Sequence, residues 1–214
     1  MTEKESKDLV AAGYDIASAA YNATRDSTRE FDYRAWLEPI CREIAPGAQV
    51  LDLGCGCGVS ASRILAERFA VTGVDISPVQ IGQAQPLVPQ AKFVVDDMTS
   101  VSFEPATFDA VVSLYAIIHV PLDGQFSLIQ SIYRWLRETG VAVMIVGSRA
   151  WTGTEKDWLG VKGATMFWSH ADAGTYRKWF KRVGFRIVEK TFVPDPIGSG
   201  GHEKFLLKKL HSRG

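Results

Sequence analysis

Short apolar runs alternate with helical patterns through the middle of this chain, and this alternation restricts the possible folds more than any other feature. Runs rich in Val, Ile and Leu predict strands at residues 49–53, 69–75, 93–96, 108–114 and 141–147. Helical patterns follow at residues 61–69, 78–87 and 125–137, with Ser77 as N-cap and Pro78 at N1 of the second. Continuous apolar strands between helices are typical of parallel strands covered on both faces. The pattern therefore predicts an α/β fold.

The two ends of the chain extend this core. Residues 5–44 carry apolar residues at mostly helical spacing, which predicts two N-terminal helices. A helix at 172–183 precedes strands at 185–193 and 203–210, which are too close in sequence for a parallel crossover and should pair antiparallel. The predicted fold is a doubly wound, mostly parallel seven-stranded sheet. It has a C-terminal antiparallel strand pair, helices on both faces and extra N-terminal helices.

We interpret residues 1–214 as one domain, because no linker or internal repeat divides them. Its predicted parts are an N-terminal helical cap at 1–45, a core at 49–147, an insertion at 148–170, and a C-terminal helix and hairpin at 171–210.

Charge and cysteine content limit the partners of such a domain. Lys and Arg number 24, as do Asp and Glu, so the formal net charge is zero and no nucleic-acid partner is expected. Cys55 and Cys57 lie in a C-x-C sequence without a second Cys or His cluster, so no metal site is expected. The N-terminus is charged, and no run approaches the roughly 18 apolar residues of a membrane span. We therefore expect a cytoplasmic protein without a membrane partner.

A glycine-rich loop follows the first predicted strand. Gly54, Gly56 and Gly58 let the backbone turn sharply and let a ligand approach main-chain N–H groups. The dinucleotide fingerprint G-x-G-x-x-G does not fit, because Val59 stands where its third glycine belongs. Asp75 ends the second strand about twenty residues further on, where a carboxylate can accept hydrogen bonds from both ribose hydroxyls.

Four segments in this order resemble the class I (Rossmann-like) S-adenosylmethionine-dependent methyltransferases. LDLGCGCG is similar to the family's first motif, GVDIS to the second, FVVDDM to the third and FDAVVSLYAIIHVP to the fourth. The YDIASAAY segment of the first helix is similar to the start of small-molecule members of the family. The resemblance implies S-adenosyl-L-methionine as cofactor and S-adenosyl-L-homocysteine as product.

The resemblance also implies a set of cofactor-binding residues. They are Tyr21, Asp52, Gly54, Cys55, Gly56, Gly58, Asp75, Ile76, Gln80, Asp96, Asp97, Met98, Leu114 and Tyr115. Asp75 would hold the ribose, and Leu114 and Tyr115 would lie near the sulfonium. The third motif usually reads Gly-Asp but here reads Asp96-Asp97. We assign the adenine contact to Asp97, and Asp96 stays an alternative.

Catalytic candidates follow the fourth strand. The sulfonium activates its own methyl group, so the protein mainly aligns the acceptor. His119 could take a proton from the acceptor, with Tyr115 beside it, or His119 could simply cap the loop before Pro121.

The acceptor is expected under the segment at 151–170, which is rich in aromatic residues. Predicted substrate-binding residues are Tyr14, His119, Trp151, Trp158, Met166, Trp168, His170 and His202. The aromatic residues could instead pack the insertion against the domain. Glu155 and Asp157 would suit a cationic acceptor, although such residues in a loop are usually solvated.

Three functions are consistent with these features. The first is methylation of N, O or C of a small-molecule acceptor by direct in-line displacement, with the N-terminal helices and the aromatic segment closing a pocket. The second is methylation of RNA or of a protein side chain, and the third is a non-catalytic cofactor-binding module. A homodimer is compatible with the sequence.

Overall fold

The computed structural model describes residues 1–27, 32–194 and 200–211. Its helices are α1 Glu3–Ser27, α2 Tyr33–Glu43, α3 Ser62–Leu65, α4 Pro78–Leu87, α5 Leu122–Trp135 and α6 Ala173–Val183. Its strands are β1 Gln49–Leu53, β2 Ala70–Asp75, β3 Lys92–Val95, β4 Phe108–Ser113, β5 Leu136–Gly147, β6 Trp151–Glu155, β7 Met166–His170, β8 Phe185–Pro194 and β9 Gly201–Lys209. Short 3-10 turns lie at Ile117–His119 and Trp158–Gly160.

Seven of these strands form one sheet in the order β3-β2-β1-β4-β5-β9-β8. The first five pair in parallel, and β9 pairs antiparallel with both β5 and β8. This arrangement confirms the predicted fold class. The strand order changes direction at β1, which lies between β2 and β4, and ligands of open α/β sheets bind at the carboxyl ends of strands at such a point.

Local signals place several element ends where they were predicted. The Ser77 side chain accepts a hydrogen bond from the N–H of Gln80 at 3.1 Å, and Pro78 opens α4. Asp172 caps α6 in the same way through the N–H of Thr175. Gly184 follows α6 with a φ of 113°, which a residue with a side chain rarely adopts.

Among the boundaries that differ from the sequence prediction are those of α3 and β5. The helix predicted at 61–69 is only the four-residue α3, because the chain then turns back and Leu65 accepts from the N–H groups of both Arg68 and Phe69. The strand predicted at 141–147 begins at Leu136, which is buried and pairs with Phe108 before an irregularity in the register. Tertiary packing of Leu136 thus ends α5 two residues early.

The core lies on both faces of the sheet. One cluster packs α5 and α6 against it, with Trp135 and Phe180 buried, and another packs α2 and α3, with Leu37 and Leu65 buried. No helix of the described ranges is both long enough and apolar enough to cross a membrane.

A third cluster joins α1 to the segment predicted as an insertion. Residues 151–170 form the antiparallel β6–β7 hairpin, and its buried Trp158, Met166 and Phe167 pack against α1. Gly13 marks the closest approach, because a Cβ there would lie 2.6 Å from the carbonyl oxygen of Thr165. The hairpin therefore holds α1 over the carboxyl ends of the parallel strands.

Candidate functional site

A cleft lies under α1 at the carboxyl ends of β1, β2, β3 and β4, and it encloses about 670 Å³ of space free of protein atoms, part of which is open to solvent. The lining residues are Lys7, Val10, Tyr14, Tyr21, Gly54, Gly56, Asp75, Ile76, Asp97, Met98, Leu114, Tyr115, Ala116, His119 and Val120. The structure thus brings together most of the residues that the sequence resemblance implied.

The glycine loop and Asp75 are joined by hydrogen bonds. The N–H of Gly56 donates to Oδ2 of Asp75 at 2.8 Å, and the N–H of Ser77 donates to Oδ1 at 2.9 Å. Burial raises the pKa of Asp75, although these two N–H groups favour its charged form. A carboxylate has about four lone-pair directions, so Asp75 keeps capacity for further donors in the cleft.

Gly54 packs closely on the protein, and Gln80 behind the loop indicates a polar ligand group. Gly54 has a φ of 74°, and a Cβ there would lie 2.1 Å from Cβ of Ala116, so a side chain is excluded. Gln80 is buried behind the loop, and its Oε1 lies 3.7 Å from the position of a Cβ on Gly56. Neither polar atom of the Gln80 amide has a hydrogen-bond partner within the described segments. A buried amide without partners is costly, which fits a polar ligand group at this loop.

Asp97 lines the cleft, whereas Asp96 does not. Nζ of Lys7 lies 2.7 Å from Oδ2 of Asp97, and the N–H of Thr99 donates to Oδ1 at 2.8 Å. Burial opposes the charge of Asp97, but these partners lower its pKa below the ordinary value. Asp96 accepts from the N–H of Asp97 at 2.8 Å. The geometry favours Asp97 over Asp96 as the residue that faces a ligand.

His119 is held between α1 and the hairpin. Its Nδ1 lies 2.8 Å from the carbonyl oxygen of Phe167, and its Nε2 lies 3.0 Å from Oη of Tyr14. Burial lowers the pKa of His119 to about 4, so the ring is neutral near pH 7. Burial likewise raises the pKa of Tyr14 well above its ordinary value. His119 therefore bonds to β7 rather than capping the loop before Pro121.

The end of β4 completes the cleft wall. Leu114 and Tyr115 both line it, and Tyr115 has a φ of 60°, which is uncommon for a residue with a bulky side chain. The Tyr115 ring also packs edge-on against His202, with the ring centroids 5.0 Å apart.

Several predicted cofactor residues lie behind the loop and do not line the cleft. Asp52 is buried and accepts from Oγ of Ser62 at 2.6 Å, and burial raises the pKa of Asp52 to about 7. Cys55 is buried against Gly73, and Gly58 lies beside Phe93. These residues can shape the loop from behind, because their side chains or backbone are enclosed by the core.

Six of the eight residues predicted to bind the acceptor do not line this cleft. Trp151, Trp158, Met166, Trp168, His170 and His202 are not among the lining residues. Trp158 packs edge-on against Tyr14, Trp168 lies tilted against His119 with ring centroids 4.3 Å apart, and Trp151 is 47% exposed. These aromatic residues pack the hairpin against α1 because the segment forms paired strands rather than a loop.

The polar groups predicted for an acceptor also point elsewhere. His170 uses Nδ1 to contact the carbonyl oxygen of Arg149 at 2.6 Å. Glu155 and Asp157 are exposed, and Asp157 accepts from the N–H of Gly163. Neither carboxylate lines the cleft, so they do not provide a site for a cationic acceptor there.

The cleft also contains residues that the sequence analysis missed, namely Lys7, Val10, Ala116 and Val120. Lys7, Val10, Tyr14 and Tyr21 follow a spacing of three, four and seven residues, which places them on one face of α1. That spacing was a usable signal for the helix face. Across residues 1–27, 32–194 and 200–211, no group of three or more His, Cys, Asp or Glu side chains could hold a metal ion.

Comparison with known proteins agrees with this geometry. Residues 50–140 match a family model described as a methyltransferase domain. The chain is 42% identical over 106 residues to 2-methyl-6-phytyl-1,4-hydroquinone methyltransferase of Synechocystis sp., covering 47% of this chain and 32% of that protein. It is 30% identical over 118 residues to the 18S rRNA (guanine-N(7))-methyltransferase of Bos taurus, covering 50% and 42%. The match thus spans less than half the length of these relatives.

Solved structures extend the comparison to nearly the whole chain. Magnesium protoporphyrin IX methyltransferase from Synechocystis, crystallised with bound SAH, superposes with a TM-score of 0.74 at 16% identity, covering 95% of this chain and 99% of that one. This likeness shows the fold. Motif order and cleft geometry agree with these matches: residues 50–140 match a methyltransferase domain, and the chain has the class I (Rossmann-like) methyltransferase fold.

Proposed function

We propose that this chain transfers a methyl group from S-adenosyl-L-methionine to N, O or C of a small-molecule acceptor by direct in-line displacement, and that S-adenosyl-L-homocysteine is the other product. One observation carries the proposal. The hydrogen bond from Gly56 to Asp75 joins a tight glycine loop to a carboxylate at the neighbouring strand end, and both face one cleft.

Different residues of the cleft would contact different parts of the proposed cofactor. Gly54 and Gly56 would meet its methionine part, Asp75 its ribose hydroxyls, and Ile76, Asp97 and Met98 its adenine, while Leu114 and Tyr115 would lie beside the sulfur. When bound, this cofactor supplies an already activated methyl group. The protein then has to hold the acceptor in line and exclude water, and such positioning can supply about 7–11 kcal/mol.

A small acceptor is supported by the roof of the cleft. α1 is packed onto the β6–β7 hairpin, and its side chains Lys7, Val10 and Tyr14 form part of the cleft wall. Such an enclosed wall suits a ligand of modest size better than a macromolecular surface. Relatives include the hydroquinone methyltransferase, whose name refers to a small molecule. All three cysteines lie in the described segments as free thiols, which supports a cytoplasmic location.

A second candidate function is methylation of RNA. Its support is the 30% identity to the 18S rRNA methyltransferase. Against it stands the balance of 24 basic and 24 acidic residues, because phosphate binding usually requires a basic surface. Methylation of a protein side chain and a non-catalytic cofactor-binding role are further alternatives. We favour a small-molecule acceptor without a nucleic-acid or membrane partner, and a homodimer is compatible with this proposal.

Two measurements test the proposal. Isothermal titration calorimetry with S-adenosyl-L-methionine and S-adenosyl-L-homocysteine should show binding of both, and absence of binding to either would reject methyl transfer. Incubation with methyl-labelled cofactor and fractionated cell extract should then label the small-molecule fraction. Label confined to RNA or protein would replace the proposed acceptor class, and binding without any labelled product would support a non-catalytic module.

A further inference from the structure

The hydrogen bonds of His119 determine which group donates in the bond between His119 and Tyr14. The carbonyl oxygen of Phe167 can only accept, so Nδ1 of His119, 2.8 Å away, carries the ring proton. The neutral ring then has an unprotonated Nε2, which accepts the hydroxyl proton of Tyr14 over 3.0 Å. The second nitrogen of His119 is therefore already occupied and does not face an acceptor directly.

This direction leaves the Tyr14 oxygen as a hydrogen-bond acceptor on the cleft wall. Its own proton is committed to His119, so a ligand group that meets Oη must itself donate. Tyr14 and His119 both line the cleft, together with Leu114 and Tyr115 at the end of β4. The donor group of an acceptor can thus lie at the end of the cleft formed by the residues that follow β4, where we also place the methyl group.

Within the described residues, every ionised side chain of the cleft wall already has a partner, so none at that end is available to pair with a charged acceptor. The charged lining residues are Lys7, Asp75 and Asp97. Lys7 pairs with Asp97, and Asp75 is bound by the N–H groups of Gly56 and Ser77. Burying an unpaired charge is costly, so this end suits an uncharged group better than an ammonium or a guanidinium. The neighbouring Val10, Ala116 and Val120 are apolar and suit a ring.

We propose that Tyr14 and His119 form a proton relay for an uncharged acceptor that carries an aromatic hydroxyl. The inference rests on the proposed methyl transfer and names its acceptor class. Tyr14 touches the acceptor and is the catalytic residue, whereas His119 acts through Tyr14 and is a positioning residue fixed by Phe167.

Atoms and charge are conserved in this relay. The acceptor oxygen bonds to the transferred carbon, and the electron pair of the broken carbon–sulfur bond stays on sulfur. The acceptor proton moves to Oη of Tyr14 while the Tyr14 proton moves to Nε2 of His119. The positive charge initially on sulfur thus ends on the imidazolium, whose Nδ1–H still donates to Phe167. That proton passes to solvent after the methyl ether leaves.

The weak basicity of His119 explains the preference for an aromatic hydroxyl. Burial lowers the pKa of His119 to about 4, so it does not deprotonate a neutral hydroxyl in advance. The hydroxyl becomes far more acidic as its oxygen gains the methyl bond. A phenol, with a pKa of about 10 in the case of tyrosine, is much closer to this base than an aliphatic alcohol is. Proton transfer then accompanies methyl transfer.

A panel of phenols tests the relay. The wild-type chain with S-adenosyl-L-methionine at pH 8 should methylate phenol faster than 4-nitrophenol, because 4-nitrophenol is largely ionised and cannot donate to Oη of Tyr14. Tyr14→Phe should lower kcat/KM for phenol by about a hundredfold or more. It should lower the value for 4-nitrophenol far less, because an ionised acceptor has no proton to give. Tyr133→Phe, which removes a hydroxyl outside the cleft, should change neither.

The outcomes separate this inference from the proposed function. Equal losses for both phenols in folded Tyr14→Phe, or cofactor binding without methylation of any phenol, would overturn the relay and leave methyl transfer standing. Absence of cofactor binding would remove both. Nitrogen-15 NMR of wild-type His119 gives a readout independent of activity and of any variant. We expect the Nδ1–H tautomer, and an Nε2–H tautomer would overturn the proposal.

Discussion

The backbone N–H of Gly56 donates a 2.8 Å hydrogen bond to the Asp75 carboxylate across nineteen positions of sequence. This bond holds the tip of the glycine loop after β1 against the end of β2. Because the second carboxylate oxygen is held by the N–H of Ser77, the orientation of Asp75 is determined before any ligand arrives. Such preorganisation lowers the ordering cost of binding.

Asp75→Ala should weaken cofactor binding. The change removes the acceptor for the ligand's hydroxyl groups and also releases the N–H of Gly56. Loss of such hydrogen bonds typically costs about 1–3 kcal/mol, which corresponds to roughly 5- to 150-fold in Kd. Calorimetry with S-adenosyl-L-homocysteine measures the change. Asp123→Ala, at an exposed position of α5, is the control, and equal affinity for both variants would show that the site is misplaced.

The stability of the protein should fall in mild acid because of His119. Burial depresses the folded-state pKa of His119 to about 4, from 6.5 for an ordinary histidine. Between these two pKa values the unfolded state therefore binds more protons than the folded state does. The contribution of the neutral histidine to the free energy of unfolding is complete above pH 6.5, and it is lost as the pH falls from 6.5 to about 4. The loss can reach about 3 kcal/mol.

Urea unfolding of wild type and His119→Gln between neutral and acid pH measures this loss. The wild type should lose more free energy of unfolding over the window than His119→Gln does. The exposed His211 provides the control variant His211→Gln, which should follow the wild type. Parallel pH profiles for wild type and His119→Gln would contradict a buried neutral histidine.

Gly54→Ala and Gly82→Ala should have opposite effects on stability. A Cβ on Gly54 would lie 2.1 Å from Cβ of Ala116 and would require a side chain at a φ of 74°, so we expect a loss of about 1–3 kcal/mol. Gly82 lies inside α4 with no atom within 4 Å of its added Cβ, so alanine should stabilise by about 0.5–1 kcal/mol. Thermal unfolding compares the two. A tolerated Gly54→Ala would mean that the loop does not contact Ala116 as described.

Trp158→Ala should destabilise the protein, because Trp158 is only 4% exposed between the hairpin and α1. Truncation of a buried tryptophan typically costs about 3–5 kcal/mol. Trp151→Ala on the same hairpin is the matched control and should cost less than about 1 kcal/mol, since Trp151 is 47% exposed. Chemical denaturation measures both. A small effect of Trp158→Ala would contradict the packing of Trp158 between the hairpin and α1.

Much of the cofactor side of the cleft was predictable because its signals are local in sequence. Gly54, Gly56 and Asp75 were identified from a loop and a strand end, and the structure places all three in the cleft. Asp52 and Gly58 belong to the same motifs but are enclosed behind the loop. Motif membership therefore indicated the region, while burial decided which members face the ligand.

The acceptor side was less predictable because its contacts join distant segments. Tyr14 and His119 are 105 positions apart, and the bond from His119 to Phe167 spans another 48. The sequence of the aromatic segment at 151–170 did not show whether it forms an acceptor-binding loop or a hairpin packed on the domain. In the structure β6 pairs with β7, and most of the aromatic side chains of this segment pack toward α1.

By itself the sequence determined the α/β class, the order of the strands along the chain and the position of the glycine loop, because apolar periodicity, caps and glycines act over a few residues. Only the tertiary structure decided that Lys7 pairs with Asp97, that Tyr14 donates to His119, and that the hairpin supports α1. These contacts depend on how far-separated elements pack, and packing is set by the whole core rather than by local residue pattern.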